Sequence, residues 1–233
     1  MSSMSFPKAI VKFNSHTQAR DKIYRTVQYG SRFALWYLSQ QTGHSRLEEK
    51  LQKLEAALAL SRKLFRMGNC LELSQKALEA LSTPHHLMRL LGVSAQGFKA
   101  IWLILDHIIW FGKVDIIQIN HATWNKWSSW SWLIALASAT ILDLIKLTRL
   151  QAKVEAEMLQ QKSAGSHPEV LSQFKIEKHN MQLTFWRDFC DLFIPLSSLH
   201  YANSGLGAFC GLLSSLIGFQ QEWEKHVHPF KPK

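Results

Sequence analysis

The chain has 233 residues, 47% hydrophobic and 19% charged, and it carries nine Trp and thirteen Phe. A formal net charge of +10 favours anionic partners, either phospholipid headgroups or nucleic acid. Three scattered cysteines without a C-x-x-C pair exclude a disulfide framework. Residues 1–69 contain twelve Lys or Arg and four Asp or Glu, so most of the positive charge lies in this part of the chain.

Two helices are predicted in the basic region. Apolar residues recur at helical spacing from Thr17 to Gln40, and a second helix is expected from Ser45 to Asn69. On a helical wheel the second helix has two faces. One face, the apolar arc, consists of Leu51, Leu54, Leu58, Leu64 and Phe65. The opposite face carries the basic triad, which consists of Arg62, Lys63 and Arg66.

The apolar pattern changes phase after Gly68. Leu73, Leu78 and Leu81 fall on the side of the wheel that the cations occupied before it. One straight helix cannot bury both apolar stripes on one flat surface. Gly68-Asn69 is therefore predicted to be a helix stop, kink or hinge, and Pro84 is predicted to close the following helix.

A first membrane-embedded helix is predicted from Phe98 to Asn120. This segment is long enough to cross about 30 Å of hydrocarbon, although it contains Asp106, His107, Lys113 and Asp115. Acids at membrane depth usually face a protein interior. The next segments are expected to be an uncharged stretch at Trp127–Leu142, a polar helix at Asp143–Lys162 and a loop at Lys162–Glu169.

The most apolar segment is Leu192–Gln221, which contains no Asp, Glu, Lys or Arg. A second span is predicted at Tyr201–Gln221. Gly207, Gly211 and Gly218 would let helices approach closely in lipid, and Gly207-x-x-x-Gly211 is expected to cluster copies of the chain. The expected fold is all-α, with N-terminal amphipathic helices followed by membrane-embedded helices. Two spans are favoured, and four arise if Trp127–Lys146 and Phe185–Ser198 also cross.

Five regions follow from these assignments. They are a basic amphipathic region at the membrane surface (1–84), a first membrane-embedded region (85–147), a polar helix, loop and helix (148–184), a C-terminal membrane-embedded region (185–223) and a polar tail (224–233).

Catalysis is disfavoured by the sequence. Asp106 and His107 are adjacent, and neighbouring residues of a helix point in different directions, so they do not form a dyad. They are interpreted as buried polar glue between helices or as part of a polar path for small metabolites. No nucleotide-binding loop, nucleophile elbow or metal-ligand spacing occurs, so we predict no catalytic residue, no cofactor and no metal site. Nucleic-acid binding is disfavoured because no reading motif is present.

The second helix has two interpretations. Its apolar arc enters lipid while the basic triad binds phospholipid headgroups, or it docks on neighbouring helices in a small bundle. Amphipathicity alone does not distinguish them, because it does not say what covers the apolar face.

Four blocks of sequence together resemble the peroxisomal membrane protein 11 (peroxin-11) family. They are RDKIYRTVQYGSRF (20–33), LSRKLFRMGN (60–69), ILDHIIW (104–110) and FCDL…LH…GLLSSLIGFQQEW (189–223). The resemblance runs in order over residues 17–223. It implies an integral peroxisomal membrane protein, not an enzyme, that elongates the membrane and promotes peroxisome proliferation and division. The family's membrane-tubulating helix matches Leu54–Asn69.

The resemblance also implies partners and a topology. The expected partners are an anionic phospholipid membrane, further copies of the chain, a fission adaptor, a dynamin-related GTPase and a peroxisomal membrane-protein import receptor. Both termini are expected in the cytosol, which requires an even number of crossings. The alternative functions are a metabolite channel or pore, and a passive scaffold for division proteins.

Overall fold

The computed structural model describes residues 5–41, 46–164 and 168–227, and it describes no side chain between residues 159 and 172. Within these residues the fold is all-α. Eight helices follow one another along the chain: α1 (Phe6–Asn14), α2 (Thr17–Ser39), α3 (Arg46–Phe65), α4 (Asn69–Leu81), α5 (His86–Lys113), α6 (His121–Ala164), α7 (Pro168–Ser198) and α8 (Ser204–His226).

The predictions for the basic region are confirmed at α2 and at Gly68. Helix α2 matches the expected Thr17–Gln40 segment within one residue. Gly68 adopts φ +86 between α3 and α4, a left-handed conformation that glycine reaches without steric cost. The expected capping residue Ser45 lies outside the described residues.

Helix α1 was not predicted. It opens with Pro7, whose missing N–H costs nothing in a first turn. Ala9 and Phe13 pack in a small core with Ala19 and Val227, covered by Phe219 and Trp223. The helix therefore joins the two ends of the described chain.

The predicted span at Phe98–Asn120 has the wrong boundaries. Helix α5 begins twelve residues earlier, at His86, and ends at Lys113, and Asp115 has φ +58 in the connection that follows. The first half of the helix was not predicted because it contains Gly92 and Gly97, and glycine is unfavourable in helix interiors. In the described part of the chain, α5 is the one helix with the length and apolar content to cross a membrane. The expected count of two or four spans is not confirmed.

Two further boundaries are wrong. The Trp127–Leu142 and Asp143–Lys162 segments form one continuous helix, α6, because the shift from apolar to polar composition is not a break in helix propensity.

The apolar segment Leu192–Gln221 is interrupted between α7 and α8, so the helix in the predicted Tyr201–Gln221 span starts later, at Ser204. There the Asn203 side chain caps α8 by accepting the Gly205 N–H at 2.7 Å. Of the predicted loop, residues 165–167 lie outside the described residues.

Six helices form a closed ring. In order around it, each packs against the next: α2, α3, α5, α6, α7, α8 and back to α2. The smallest contact of the ring is the one between α3 and α5. Helix α4 lies outside the ring against α5, and α1 lies against α2 and α8. Anything that separates α3 from α5 would open the ring.

The three predicted packing glycines lie at contacts within the chain. A Cβ at Gly207 would lie 2.5 Å from Ser197 Cβ in α7, and a Cβ at Gly211 would overlap the Tyr29 ring of α2. A Cβ at Gly218 would lie 3.3 Å from Lys22 Cδ. The expected clustering of copies through Gly207-x-x-x-Gly211 does not fit this structure, because α2 and α7 of the same chain cover both glycines.

We expect Gly211→Ala to destabilise the fold by about 1–3 kcal/mol, because its methyl group must displace the Tyr29 ring. Gly97→Ala is the matched control, since a Cβ there meets nothing within 4 Å. It should be neutral or stabilising by up to about 1 kcal/mol. Thermal unfolding of both variants in detergent measures the difference, and equal unfolding temperatures would contradict the close α2–α8 contact.

Candidate membrane-contacting site

Polar and charged residues are buried in the bundle beside an apolar core, and many large apolar residues lie on its surface. The buried polar and charged residues are Arg25, Gln28, Ser31, Arg62, Asp106, Ser128, Asp188, Asp191, Ser214 and Ser215. Large apolar side chains are exposed on every helix from α1 to α8. In a protein surrounded by water this arrangement would be unfavourable, since exposed apolar patches mark contact with a partner or a membrane.

Helix α3 follows the same rule. In the apolar arc, Leu54, Leu64 and Phe65 are 42%, 46% and 45% exposed, and Leu51 and Leu58 are partly buried. Arg62, on the opposite face, is only 6% exposed. Arg62 therefore packs against the bundle together with part of Leu51 and Leu58, whereas Leu54, Leu64 and Phe65 of the apolar arc point outward.

Arg62 joins α3 to α2 through a forked contact. Its Nε and Nη2 donate to the two carboxylate oxygens of Asp21 at 2.8 and 3.2 Å, and its Nη1 donates to Gln28 Oε1 at 2.7 Å. Two parallel bonds from a guanidinium to a carboxylate fix geometry as well as charge. Burial opposes ionisation of Asp21, but the charge and hydrogen bonds of Arg62, together with the charges of Arg66 and Lys22, hold the pKa of Asp21 below its usual value.

Asp106 joins α3 to α5. Lys63 Nζ donates to Asp106 Oδ1, and Arg66 Nη2 donates to Oδ2 at 2.7 Å. The Arg66 guanidinium also lies 4.9 Å from the centre of the Trp102 ring. Asp106 is 2% exposed, so this three-residue cluster, the Asp106 clamp, sits in the protein interior at the weakest junction of the ring.

A second buried ion pair joins three helices on the other side of the ring. Arg25 of α2 donates to the carboxylate of Asp191 in α7 and to Ser214 Oγ of α8 at 3.1 Å. Sequence reasoning missed this pair, because its members are 166 positions apart. The available signal was an acid at position 191 within an otherwise apolar stretch, which in a membrane protein faces the interior.

The structure places the predicted headgroup-binding residues differently from expectation. Arg62, Lys63 and Arg66 are all held by carboxylates, so they reach lipid phosphates only if these contacts open. Direct phospholipid binding by the basic triad stays a prediction.

Asp106 and His107 are not brought together as a pair. Asp106 faces Lys63 and Arg66, whereas His107 Nε2 lies 3.4 Å from the Arg66 backbone carbonyl oxygen. Among the described residues, no group of three His, Cys, Asp or Glu side chains is arranged to hold a metal.

Large exposed apolar side chains, buried ion pairs between helices and, within the described residues, one helix able to span a bilayer are typical of a helical membrane protein. The family model described as peroxisomal biogenesis factor 11 (PEX11) matches residues 8–223, and the chain belongs to that family. It is a non-enzymatic protein of the peroxisomal membrane with a role in peroxisome biogenesis and proliferation.

Similar proteins span distant eukaryotes. The chain is 26% identical to peroxisomal membrane protein 11A of Homo sapiens, over 90% of this chain and 94% of that protein. It is 28% identical to peroxisomal membrane protein PMP27 of Saccharomyces cerevisiae, with 92% and 93% covered. The peroxisomal membrane protein 11 homolog of Dictyostelium discoideum is 26% identical, with 94% and 95% covered. No solved structure matches the chain.

Removing the charge of Asp106 should open the junction between α3 and α5. Asp106→Asn leaves two buried cations without a counter-charge, and we expect a loss of about 3–5 kcal/mol in the free energy of unfolding. Asp115→Asn is the control, because Asp115 is exposed and asparagine tolerates its positive φ. Denaturant unfolding in detergent measures both variants. A change under about 1 kcal/mol for Asp106→Asn would show that the clamp does not hold the ring closed.

Proposed function

We propose that the protein elongates the peroxisomal membrane by inserting the apolar arc of α3 into one leaflet. The observation that carries this proposal is the orientation of α3. Its charged face is held inside by Asp21 and Asp106, while Leu54, Leu64 and Phe65 point outward. A helix whose polar face already has partners has no need of water on that side. The exposed apolar arc on the other side is then suited to contact with lipid.

The energies support shallow insertion. Full burial of a Leu or Phe side chain contributes about 1.5–3 kcal/mol, and roughly half of the surface of Leu54, Leu64 and Phe65 is still exposed. Lipid contact would thus contribute about 1 kcal/mol per residue. These gains are modest. Because the rest of the chain keeps the helix beside the membrane, they suffice to hold the apolar arc in one leaflet.

Helix α1 presents a second exposed apolar surface. Phe6 and Val11 are each 71% exposed, and Lys8 and Lys12 are exposed beside them. Unlike the basic triad, these two lysines make no ion pair within the described part of the chain, and each would gain about 1 kcal/mol near an anionic headgroup. The proposal therefore assigns electrostatic attraction to α1 first, and to Arg62, Lys63 and Arg66 only if the Asp106 clamp opens.

The proposed topology has two crossings. Helix α5 is the first, and α8 is long enough for the second, since 23 residues span about 35 Å. An even number keeps both termini on the cytosolic side. Association of many copies would insert many apolar arcs into the same leaflet, which would expand that leaflet and favour curvature. Further copies, a fission adaptor, a dynamin-related GTPase and a membrane-protein import receptor are proposed partners.

No contact at Asp106 favours the pore alternative. Both carboxylate oxygens accept hydrogen bonds from α3, so Asp106 does not line an open polar path in this conformation. Metabolite conduction stays a prediction.

The wedge is tested by replacing its exposed leucines. Full-length protein carrying Leu54→Gln and Leu64→Gln, reconstituted into anionic vesicles, should form several-fold fewer tubules than wild type when counted by cryo-electron microscopy. Leu54→Met with Leu64→Met keeps the face apolar and should tubulate normally. Both variants should unfold at the wild-type temperature, because both leucines are exposed. If the glutamine variant forms as many tubules as wild type, the proposal is wrong.

A further inference from the structure

A cavity of about 420 Å³ lies where α2, α4, α5 and α8 meet, within the size range of small-ligand sites. Its walls include Lys22 of α2, Lys99 of α5 and Asn69 of α4. Trp102 and Leu103 supply an apolar side. Phe65 and Arg66 at the end of α3 also line this cavity, the lysine pocket.

Lys22 and Lys99 differ from the other interior cations. Arg25, Arg62 and Arg66 each bind a carboxylate directly. Within the described part of the chain, the ammonium groups of Lys22 and Lys99 make no hydrogen bond and no ion pair. Both are only partly accessible to solvent. An ammonium group removed from water without a partner is costly, so these lysines are poised to accept one.

The acids near the two lysines are already engaged. Two carboxylates near Lys99 are Asp188, which binds Arg187, and Asp191, which binds Arg25. Both therefore already have a direct cationic partner other than Lys22 or Lys99. Charged groups in a low-dielectric interior require compensation.

The carboxylates that line the lysine pocket are also engaged. Asp21 is held by Arg62, Glu72 by Lys76 and Glu222 by His226. Each of them already has a direct cationic partner, and none forms an ion pair with Lys22 or Lys99 within the described residues.

Two backbone features make room for an anion there. The Lys22 side chain runs across Gly218 of α8. A Cβ at position 218 would lie only 3.3 Å from Lys22 Cδ and 3.4 Å from Lys22 Cε, so the glycine makes room for this side chain. The N-terminus of α4 opens at Asn69, and Gly68, its N-cap residue, makes no side-chain cap. The orphan N–H groups of a helix start attract negative charge. Burial and the neighbouring Arg25 charge lower the pKa of Lys22 to about 8, so a bound anion would restore its full protonation.

We propose that the lysine pocket binds a phosphomonoester group, with Lys22 and Lys99 donating hydrogen bonds to its oxygens. A phosphomonoester carries about −1.5 to −2 charges near neutral pH, which matches the charge of the two lysine ammonium groups. The same chemistry is presented by a phosphomonoester lipid headgroup, with its glycerol near Trp102 and Leu103, and by free phosphate. The proposal does not depend on the membrane wedge.

The test uses the purified full-length protein and two probes. Phosphatidic acid is the lipid probe, scored by native mass spectrometry against phosphatidylserine, which lacks a phosphomonoester. Inorganic phosphate is the soluble probe, scored by the rise in unfolding temperature. Lys22→Gln with Lys99→Gln should weaken binding at least tenfold, whereas Lys22→Arg with Lys99→Arg should retain it. Lys8→Gln with Lys12→Gln removes the same charge from the exposed face of α1 and should bind like wild type.

Each outcome decides the proposal. Binding of phosphatidic acid that needs the two lysines supports a lipid ligand, and binding of inorganic phosphate alone supports a soluble one. The proposal is overturned if wild type binds neither probe, if it retains phosphatidylserine equally well, or if the double glutamine variant binds as tightly as wild type. Altered stability of that variant with unchanged binding would assign the lysines a purely structural role.

Discussion

The Asp106 clamp is the interaction on which the arrangement of the bundle depends. Helices α3 and α5 share the smallest contact in the ring, and Lys63 and Arg66 reach across it to one buried carboxylate. This contact turns the charged face of α3 inward. The apolar arc on the opposite side is exposed as a direct consequence, because the two faces belong to one rigid helix. Together with Asp21 of α2, one acid in α5 thereby sets how a helix 40 residues earlier meets its surroundings.

Buried charges are compatible with a membrane protein because each one binds an opposite charge in place of water. Arg25 with Asp191, and Arg62 with Asp21, are held by directional bonds between different helices. Such pairs contribute little net stability compared with apolar packing, but they are costly to break and therefore specify one arrangement. The small residues of α8 complement them. Gly211 admits the Tyr29 ring, and Ser214 satisfies Arg25.

The sequence predicted local features well. The α2 segment and the turn at Gly68 follow from helical periodicity and from the freedom of glycine at positive φ. The two faces of α3 were also evident, but which face points inward was not. That choice rests on Asp21 and Asp106, whose partners lie about 40 positions away. The length of α6 escaped prediction because the composition changes within one uninterrupted helix.

The orientation of α3 in the membrane-bound protein is the central claim, and spin-label accessibility tests it most directly. Nitroxide labels placed singly at Leu54 and Leu64 of the full-length protein in anionic bilayers report collisions with oxygen, which concentrates in hydrocarbon, and with a water-soluble nickel chelate. Gln52, an exposed polar residue about 160° around α3 from Leu54, provides the comparison. We expect high oxygen and low nickel accessibility at both leucines, and the reverse at Gln52. High nickel accessibility at the leucines would contradict it.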